Sequence, residues 1–267
     1  MPVLTSIQLF SVNEALKADL DSTLAMVAAR GFTVVESYDF VWRAQLLADA
    51  LIAHGLQTPT GHAFLASSSF VNPDGSASTI PVPSLEEVFA AAKTLGMSTV
   101  IDPYTAPDRW TSIAQIEETA DLLNRAAELG SHHGIRVGYH NHAHELEATF
   151  GDRTGLEVLA DFLDPRVVLE VDLYWVACAG VDSPTLVRSL GERVIAVHVK
   201  DGRLDPEAMN AYPPTDQVSA GQGKVPLVEA LAAASALEYA IVEFDHFDGD
   251  LFDALEQSRL FLEKVLG

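Results

Sequence analysis

The chain has 267 residues, 48% of them hydrophobic, with a mean hydropathy of +0.16. That is enough apolar material for one large buried core and excludes a disordered polypeptide. Its 38 acidic residues against 16 basic ones leave a formal net charge of -22 with no basic run, which excludes a nucleic-acid binder and an anionic membrane surface as partners.

A strand is predicted over residues 3–10. A helix follows over 14–30, where Leu16, Leu20, Leu24, Val27 and Ala28 recur at three- and four-residue steps and Gly31 supplies the stop. The β-branched run 33–37 reads as strand two, 43–54 as helix two ended by Gly55, and 56–64 as strand three. Residues 66–83, rich in Ser, Pro, Asn and Gly, read as a long loop of the kind that carries function on a rigid scaffold. Ser84 with Glu87 three residues on makes a capping box that opens helix three. Strand four covers 98–103, helix four 111–133 before Gly134, and strand five 135–141. Helix five covers about 155–163 with Pro165 beyond it, strand six 167–173, helix six about 183–190 with Pro184 at its first position, and strand seven 194–200. A second long loop, 202–224, carries Pro213, Pro214, Gly221 and Gly223; helix seven covers about 226–237, strand eight 239–244 and helix eight 251–265.

Eight strands alternating with eight helices imply parallel strands joined by crossover helices, and the apolar strands suit burial on both faces. That count in this length favours a closed (β/α)8 barrel, formed as one domain over residues 1–267, over an open doubly wound sheet. Active sites of such barrels lie at the C-terminal ends of the strands. Four successive strands end on metal-binding side chains: His140 and His142 in IRVGYHNH, Asp172 in VVLEVDL, His198 in VIAVHVKD and Glu243 in YAIVEFD. Alternation along a strand places His140 with His142, Glu170 with Asp172, and His198 with Lys200 on shared faces. If His140, Asp172, His198 and Glu243 point inward they converge. Two imidazoles and two carboxylates suit Mn, Co, Zn, Fe or, less well, Mg. Taken singly, a histidine at a strand end is ordinarily a hydrogen-bonded structural residue, and Asp172 or Glu243 is a candidate helix cap.

The segments GYHNHAHEL, LEVDLYWVACAG, VHVKD, SAGQGKV and IVEFD, with the opening IQLFSVNEAL, resemble the sugar phosphate isomerase/epimerase family with its xylose isomerase-like TIM barrel. The resemblance spans nearly the whole chain, and it implies a divalent metal held by His140, Asp172, His198 and Glu243. Many relatives carry Glu-Asn-His where this chain has His140, Asn141 and His142, so His140 stands at the usual glutamate position. In related epimerases that glutamate also moves a proton. Glu243 is therefore expected as one acid/base group, with His140 or Glu145 on the other face and His142 in reserve.

His62 and His142 are candidate substrate contacts, His62 against a structural role. Lys200 is a candidate for holding a substrate oxygen or stabilising an enolate, against a plain salt bridge to a carboxylate such as Asp201. Trp175 is a candidate wall beside a sugar ring, against packing under the following loop. Glu145 and Glu147 also read as solvated loop charges, Gly221 and Gly223 as a tight turn, and Asp245, His246 and Asp248 carry no assigned role. The chemistry expected is isomerisation or epimerisation of a ketose or keto-sugar through a metal-stabilised enediolate. The alternative is a metal-dependent lyase or dehydratase acting on a keto-inositol, keto-sugar or oxidised glycoside. A small carbohydrate is the expected partner, with no nucleic acid and no membrane; self-association is left open by analogy with barrels of this type. With Cys178 as the single cysteine, no basic-then-apolar leader and no apolar run of membrane length, the chain reads as cytoplasmic.

Overall fold

A computed structural model describes residues 2–67, 69–71, 79–209, 211 and 213–267. Eight parallel strands close into a barrel: β1 (Leu4–Gln8), β2 (Val34–Tyr38), β3 (Gln57–His62), β4 (Thr99–Asp102), β5 (Arg136–His140), β6 (Val167–Asp172), β7 (Val194–Val199) and β8 (Tyr239–Val242). Each pairs with its neighbours in sequence, and β8 closes on β1 with Leu4 opposite Tyr239 and Ile7 opposite Val242. Every residue of β6, β7 and β8 is buried, as expected of strands covered by helices outside and side chains inside.

Side chains alternate along each strand, so the inward face can be read in layers. Val168, Ala196, Tyr239 and Ile241 are buried together and plug the lower interior. Two residues on come Glu170, His198 and Glu243; a further two reach Asp172 and Lys200 at the mouth. Register aligns the donors: Glu170 lies opposite His140, Asp172 opposite His198, and Tyr38 opposite His62. Gly138, two residues before His140, keeps the plug closed without overcrowding, since a Cβ there would stand 3.1 Å from Ile101 and 3.2 Å from Val168.

The capping box at Ser84 and Glu87 is present, and it opens the helix Leu85–Thr94. Elsewhere the expected elements need correction. The first helix is two, Asn13–Ala18 and Leu20–Ala29, because Asp19 is extended (φ -157°, ψ 101°) and its carboxylate caps the second at Ser22. A helix expected over 226–237 ends at Ala233, since the chain must straighten for Glu238 to donate to Ile195 and enter β8. The helix Leu173–Cys178 starts directly on β6, where a strand end was expected. Both long loops carry structure. Ser69–Val71 pairs antiparallel with Thr79–Pro81, while residues 72–78 of that loop lie outside the described residues. Asp201–Gly202 pairs with Gln217–Val218. Among the described residues no helix is long and apolar enough to cross a membrane.

Candidate active site

The deepest polar layer is built on two carboxylates, Glu36 from β2 and Glu170 from β6, both without solvent exposure. Glu170 Oε1 faces three imidazole nitrogens: His62 Nε2 at 2.8 Å, His140 Nδ1 at 3.0 Å and His198 Nε2 at 3.0 Å. Glu36 Oε1 accepts from Gln8 Nε2 at 2.9 Å and faces His198 Nε2 at 2.8 Å and His62 Nε2 at 3.1 Å. Two imidazoles thus bridge two carboxylates. Burial opposes charge on His62, but Glu36 and Glu170 outweigh it and raise the ring to about 10. His198 has acceptors at both nitrogens, Glu243 Oε2 lying 2.7 Å from Nδ1. It too is raised well above the usual range, against its burial, by Glu170 and Glu243.

Above this lies the mouth. Asp172 Oδ1 accepts from the backbone N–H of Trp175 at 3.0 Å and so caps the helix Leu173–Cys178. Its Oδ2 faces inward, 3.8 Å from His140 Nε2 and 3.9 Å from His198 Nδ1. Cap and site residue are the same side chain. Lys200, 2% exposed, places Nζ 2.6 Å from Glu243 Oε2, 3.0 Å from Asp172 Oδ2, and 3.0 Å and 3.2 Å from the two oxygens of Asp245. Its pKa is driven up, against burial, by Asp172, Asp245 and Glu243. Glu243 is held well below the carboxylate range although burial works the other way, because Lys200 and His198 flank it. Asp245 goes the opposite way: burial raises it, and Glu243 and Asp172 add to the rise.

The donor set fits a divalent cation. Asp172, His198 and Glu243 bring one ligand atom each within 4.8 Å of one another, and His62, His140, Glu170 and His198 do the same one layer down. Buried Glu170 Oε2 and Glu36 Oε2 lack hydrogen-bond partners, which is costly unless a cation or donor satisfies them. Mixed imidazole and carboxylate ligands suit Zn, Mn, Fe or Co.

A wall of rings stands beside the cluster. His142 lies 5.3 Å from the His140 ring, 5.7 Å from Trp175 and 5.5 Å from Tyr104. Burial first, then His140 and Lys200, push the His142 pKa well below normal, so the ring is neutral. His142 Nδ1 and Trp175 Nε1 are buried without a hydrogen-bond partner.

His140, Asp172, His198, Glu243, Lys200, His62, His142 and Trp175 therefore converge. Glu145 does not join them, nor is it solvated. It is fully buried on the short helix His144–Glu147, with Oε1 accepting from the Tyr139 hydroxyl at 2.7 Å and Oε2 from the His142 backbone N–H at 2.8 Å. Glu147 is exposed. The expected salt bridge from Lys200 to Asp201 is absent: Asp201 turns to the other side of the chain, and Asp172, Glu243 and Asp245 take the ammonium. Asp245, read as having no role, is thus part of the mouth, while Asp248 is 95% exposed. Sequence reading missed Gln8 and Glu36. The available signal was a charged residue inside the apolar run of strand two.

A closed parallel barrel with a buried imidazole and carboxylate cluster at its C-terminal mouth defines a (β/α)8 barrel with a candidate metal site. Residues 24–265 match the family described as xylose isomerase-like TIM barrel, and the chain belongs to that family. A sugar phosphate isomerase/epimerase from Parabacteroides distasonis is similar over 100% of this chain and 96% of that one, at 18% identity and a TM-score of 0.76. The probable 3-DHS dehydratase AsbF of Bacillus anthracis is similar over 98% and 99%, at 14% identity and 0.70. The IOLI protein, solved with a bound zinc atom, is similar over 100% and 98%, at 16% identity and 0.71. At these identities the likeness concerns the fold. An uncharacterized Mycobacterium leprae protein is 25% identical over 181 residues; this stretch is 61% of the chain and spans 61% of that relative's length.

Proposed function

We propose that the chain is a divalent-metal-dependent enzyme that isomerises or epimerises a ketose or keto-sugar by proton transfer beside the carbonyl. The observation that carries this reading is the convergence of Asp172 Oδ2, His198 Nδ1 and Glu243 Oε2, with His140 beside them, at the mouth of the barrel. His140, Asp172, His198 and Glu243 would hold the ion. When bound, the ion supplies Lewis-acid polarisation of the substrate carbonyl. The kinship with proteins named as isomerase/epimerases, and the zinc bound by one structural neighbour, support the same assignment.

The remaining chemistry falls to the chain's own groups. Glu243 is kept ionised by Lys200 and His198 and so stands ready to take a proton from the carbon next to the carbonyl. The Lys200 ammonium offers positive charge where the enediolate oxygen develops. His142, neutral and with Nδ1 unpartnered, replaces Glu145 as the second proton-transfer group, on the strand-five side. Return of the proton to the opposite face of the same carbon gives the epimer, and return to the adjacent carbon gives the isomer. The ring wall and the buried floor of Glu36, Glu170 and His198 keep bulk water from the intermediate.

A second reading is dehydration or lyase chemistry, in which the same intermediate expels a β-hydroxyl or glycosidic oxygen. It is favoured by His140, an imidazole where many isomerising relatives place a carboxylate, and by the likeness to a protein named as a probable dehydratase. Deuterium uptake from D2O by the metal-loaded protein, followed by NMR, separates the two: exchange with all hydroxyls retained marks isomerase or epimerase, and a lost hydroxyl marks the lyase. In Glu243→Gln exchange should fall by about 10²–10⁴-fold with the circular dichroism spectrum unchanged. Substantial retained exchange would remove Glu243 from its role.

A further inference from the structure

The floor of the site decides which nitrogen each imidazole turns toward the mouth. Gln8 Oε1 accepts the backbone N–H of Phe10 at 3.1 Å, which fixes the amide, so its Nε2 donates to Glu36 Oε1 at 2.9 Å. Glu36 Oε1 is therefore an acceptor, and His198 Nε2, 2.8 Å from it, carries a hydrogen. Glu170 Oε1 is surrounded by three ring nitrogens: His62 Nε2 at 2.8 Å, His140 Nδ1 at 3.0 Å and His198 Nε2 at 3.0 Å. A single O–H would satisfy one of them, whereas a carboxylate oxygen accepts from several, so His140 Nδ1 carries a hydrogen as well. His62 belongs to this floor. Its Nε2 also lies 3.1 Å from Glu36 Oε1, and its ring stacks on His198 with centroids 5.4 Å apart at 11°. It ties the two buried carboxylates together beneath His140 and His198.

An imidazole ligates a metal in its neutral form, through the nitrogen that carries no hydrogen. For His140 that leaves Nε2 and for His198 it leaves Nδ1. Both face Asp172 Oδ2, at 3.8 Å and 3.9 Å. The spacing of the two layers agrees with this division. Below, nitrogen and oxygen stand at hydrogen-bond length. Above, the two rings stand further from Asp172 than a hydrogen bond allows, at a separation that two atoms each about 2.0–2.2 Å from one ion span. His198 Nδ1 also meets Glu243 Oε2 at 2.7 Å, and the hydrogen between those two is the one an ion would replace.

We infer that Glu170 and Glu36 are positioning residues for the metal centre: they hold the hydrogens of His140 Nδ1 and His198 Nε2, so that His140 offers Nε2 and His198 offers Nδ1 to the ion. This rests on the metal reading above and adds to it the groups that set the ligand nitrogens. The test loads protein labelled with ¹⁵N in its histidine rings with Zn²⁺ and reads the metal-bound nitrogen of each ring from long-range ¹H–¹⁵N spectra. His140 should be bound through Nε2 and His198 through Nδ1; the opposite nitrogen on either ring overturns the inference. Glu170→Gln and Glu36→Gln keep the shape of the floor but bring an amide that donates where only acceptors fit. Each should bind Zn²⁺ about 10–100-fold more weakly by calorimetry, with the circular dichroism spectrum unchanged. Full affinity in either variant removes that carboxylate from the role. A carboxylate at position 140 has no hydrogen to offer Glu170. His140→Glu should therefore bind Zn²⁺ weakly by itself and regain affinity when combined with Glu170→Gln, a rescue that lost packing would not give. If Glu170→Gln does not fold, the ring assignment in the unmodified protein and the Glu36→Gln titration decide. If Zn²⁺ does not bind the unmodified protein, the metal reading is what fails, and the metal-free spectra decide the placement of hydrogens: N–H at His140 Nδ1 and His198 Nε2 upholds it, and a bare nitrogen at either overturns it.

Discussion

Lys200 places its ammonium 2.6 Å from Glu243 Oε2 in a mouth almost closed to solvent. The pair holds Glu243 ionised, and the same nitrogen faces Asp172 and Asp245. The lysine is thus a resident cation among carboxylates that are also the ligand candidates, and a divalent ion entering there meets a positive charge already present.

Lys200→Met should therefore have two linked effects. Without metal it removes the ammonium that three carboxylates share and lowers stability by about 3–5 kcal/mol, the usual result of removing one partner of a buried ion pair. With metal it should bind Mn²⁺ or Zn²⁺ more tightly than the unmodified protein, and saturation at about 100 times Kd should restore about 2.7 kcal/mol. Thermal melts and calorimetry with and without metal measure both. Unchanged metal affinity would show that Lys200 does not compete for the site.

Asp102 offers a pH dependence away from the metal-type cluster. Its carboxyl is fully buried and accepts from the backbone of Leu65, Ala66 and Tyr104; burial outweighs those donors and raises its pKa from 3.8 to about 6. The folded form then holds the proton more tightly than the unfolded form. Its stabilising contribution is complete below about pH 4 and is lost as pH rises through about 6, on the order of 3 kcal/mol in all. Asp102→Asn cannot titrate. Urea unfolding of both proteins between pH 3.5 and 7 should show the unmodified protein losing stability relative to the variant by about that amount; a constant difference across the window would contradict the assignment.

Gly223 and Gly55 separate two reasons for glycine. At Gly223 an added Cβ meets Asp201 Oδ1 at 2.1 Å and the Gly202 carbonyl at 2.4 Å, both inside a saturated hydrogen-bond nest. Gly223→Ala should cost about 4 kcal/mol or more. Gly55 has a left-handed backbone (φ +68°) with nothing within 4 Å of its would-be Cβ, so Gly55→Ala should cost only about 1–2 kcal/mol. Denaturant midpoints give the comparison, and equal losses would mean that the loop yields around Asp201.

The barrel was legible because its cause is local. Apolar runs of four to eight residues, punctuated by Gly31, Gly55 and Gly134 and separated by helical periodicity, specify strand and helix without reference to distant contacts. His140, Asp172, His198 and Glu243 were legible for a similar reason, each standing at the end of its own strand. Less legible were residues whose role depends on what another strand brings. Glu145 looks like a loop charge in sequence, yet Tyr139 and the His142 backbone bury it. Asp201 looks like a partner for Lys200, its neighbour, yet alternation sends the two side chains to opposite sides of the strand.

Sequence alone determined the eightfold alternation, the end of the barrel that carries polar groups and the ligand-type residues of strands five to eight. Tertiary structure decided the rest: that Glu36 reaches His198 across 162 positions of chain, that Asp245 rather than Asp201 answers Lys200, and that the loop glycines enclose a carboxylate. Closure of the barrel is the physical reason. It brings β1 and β2 against the far half of the chain, and hydrogen bonds and charges fall off too steeply with distance to be assigned before that closure sets which groups meet.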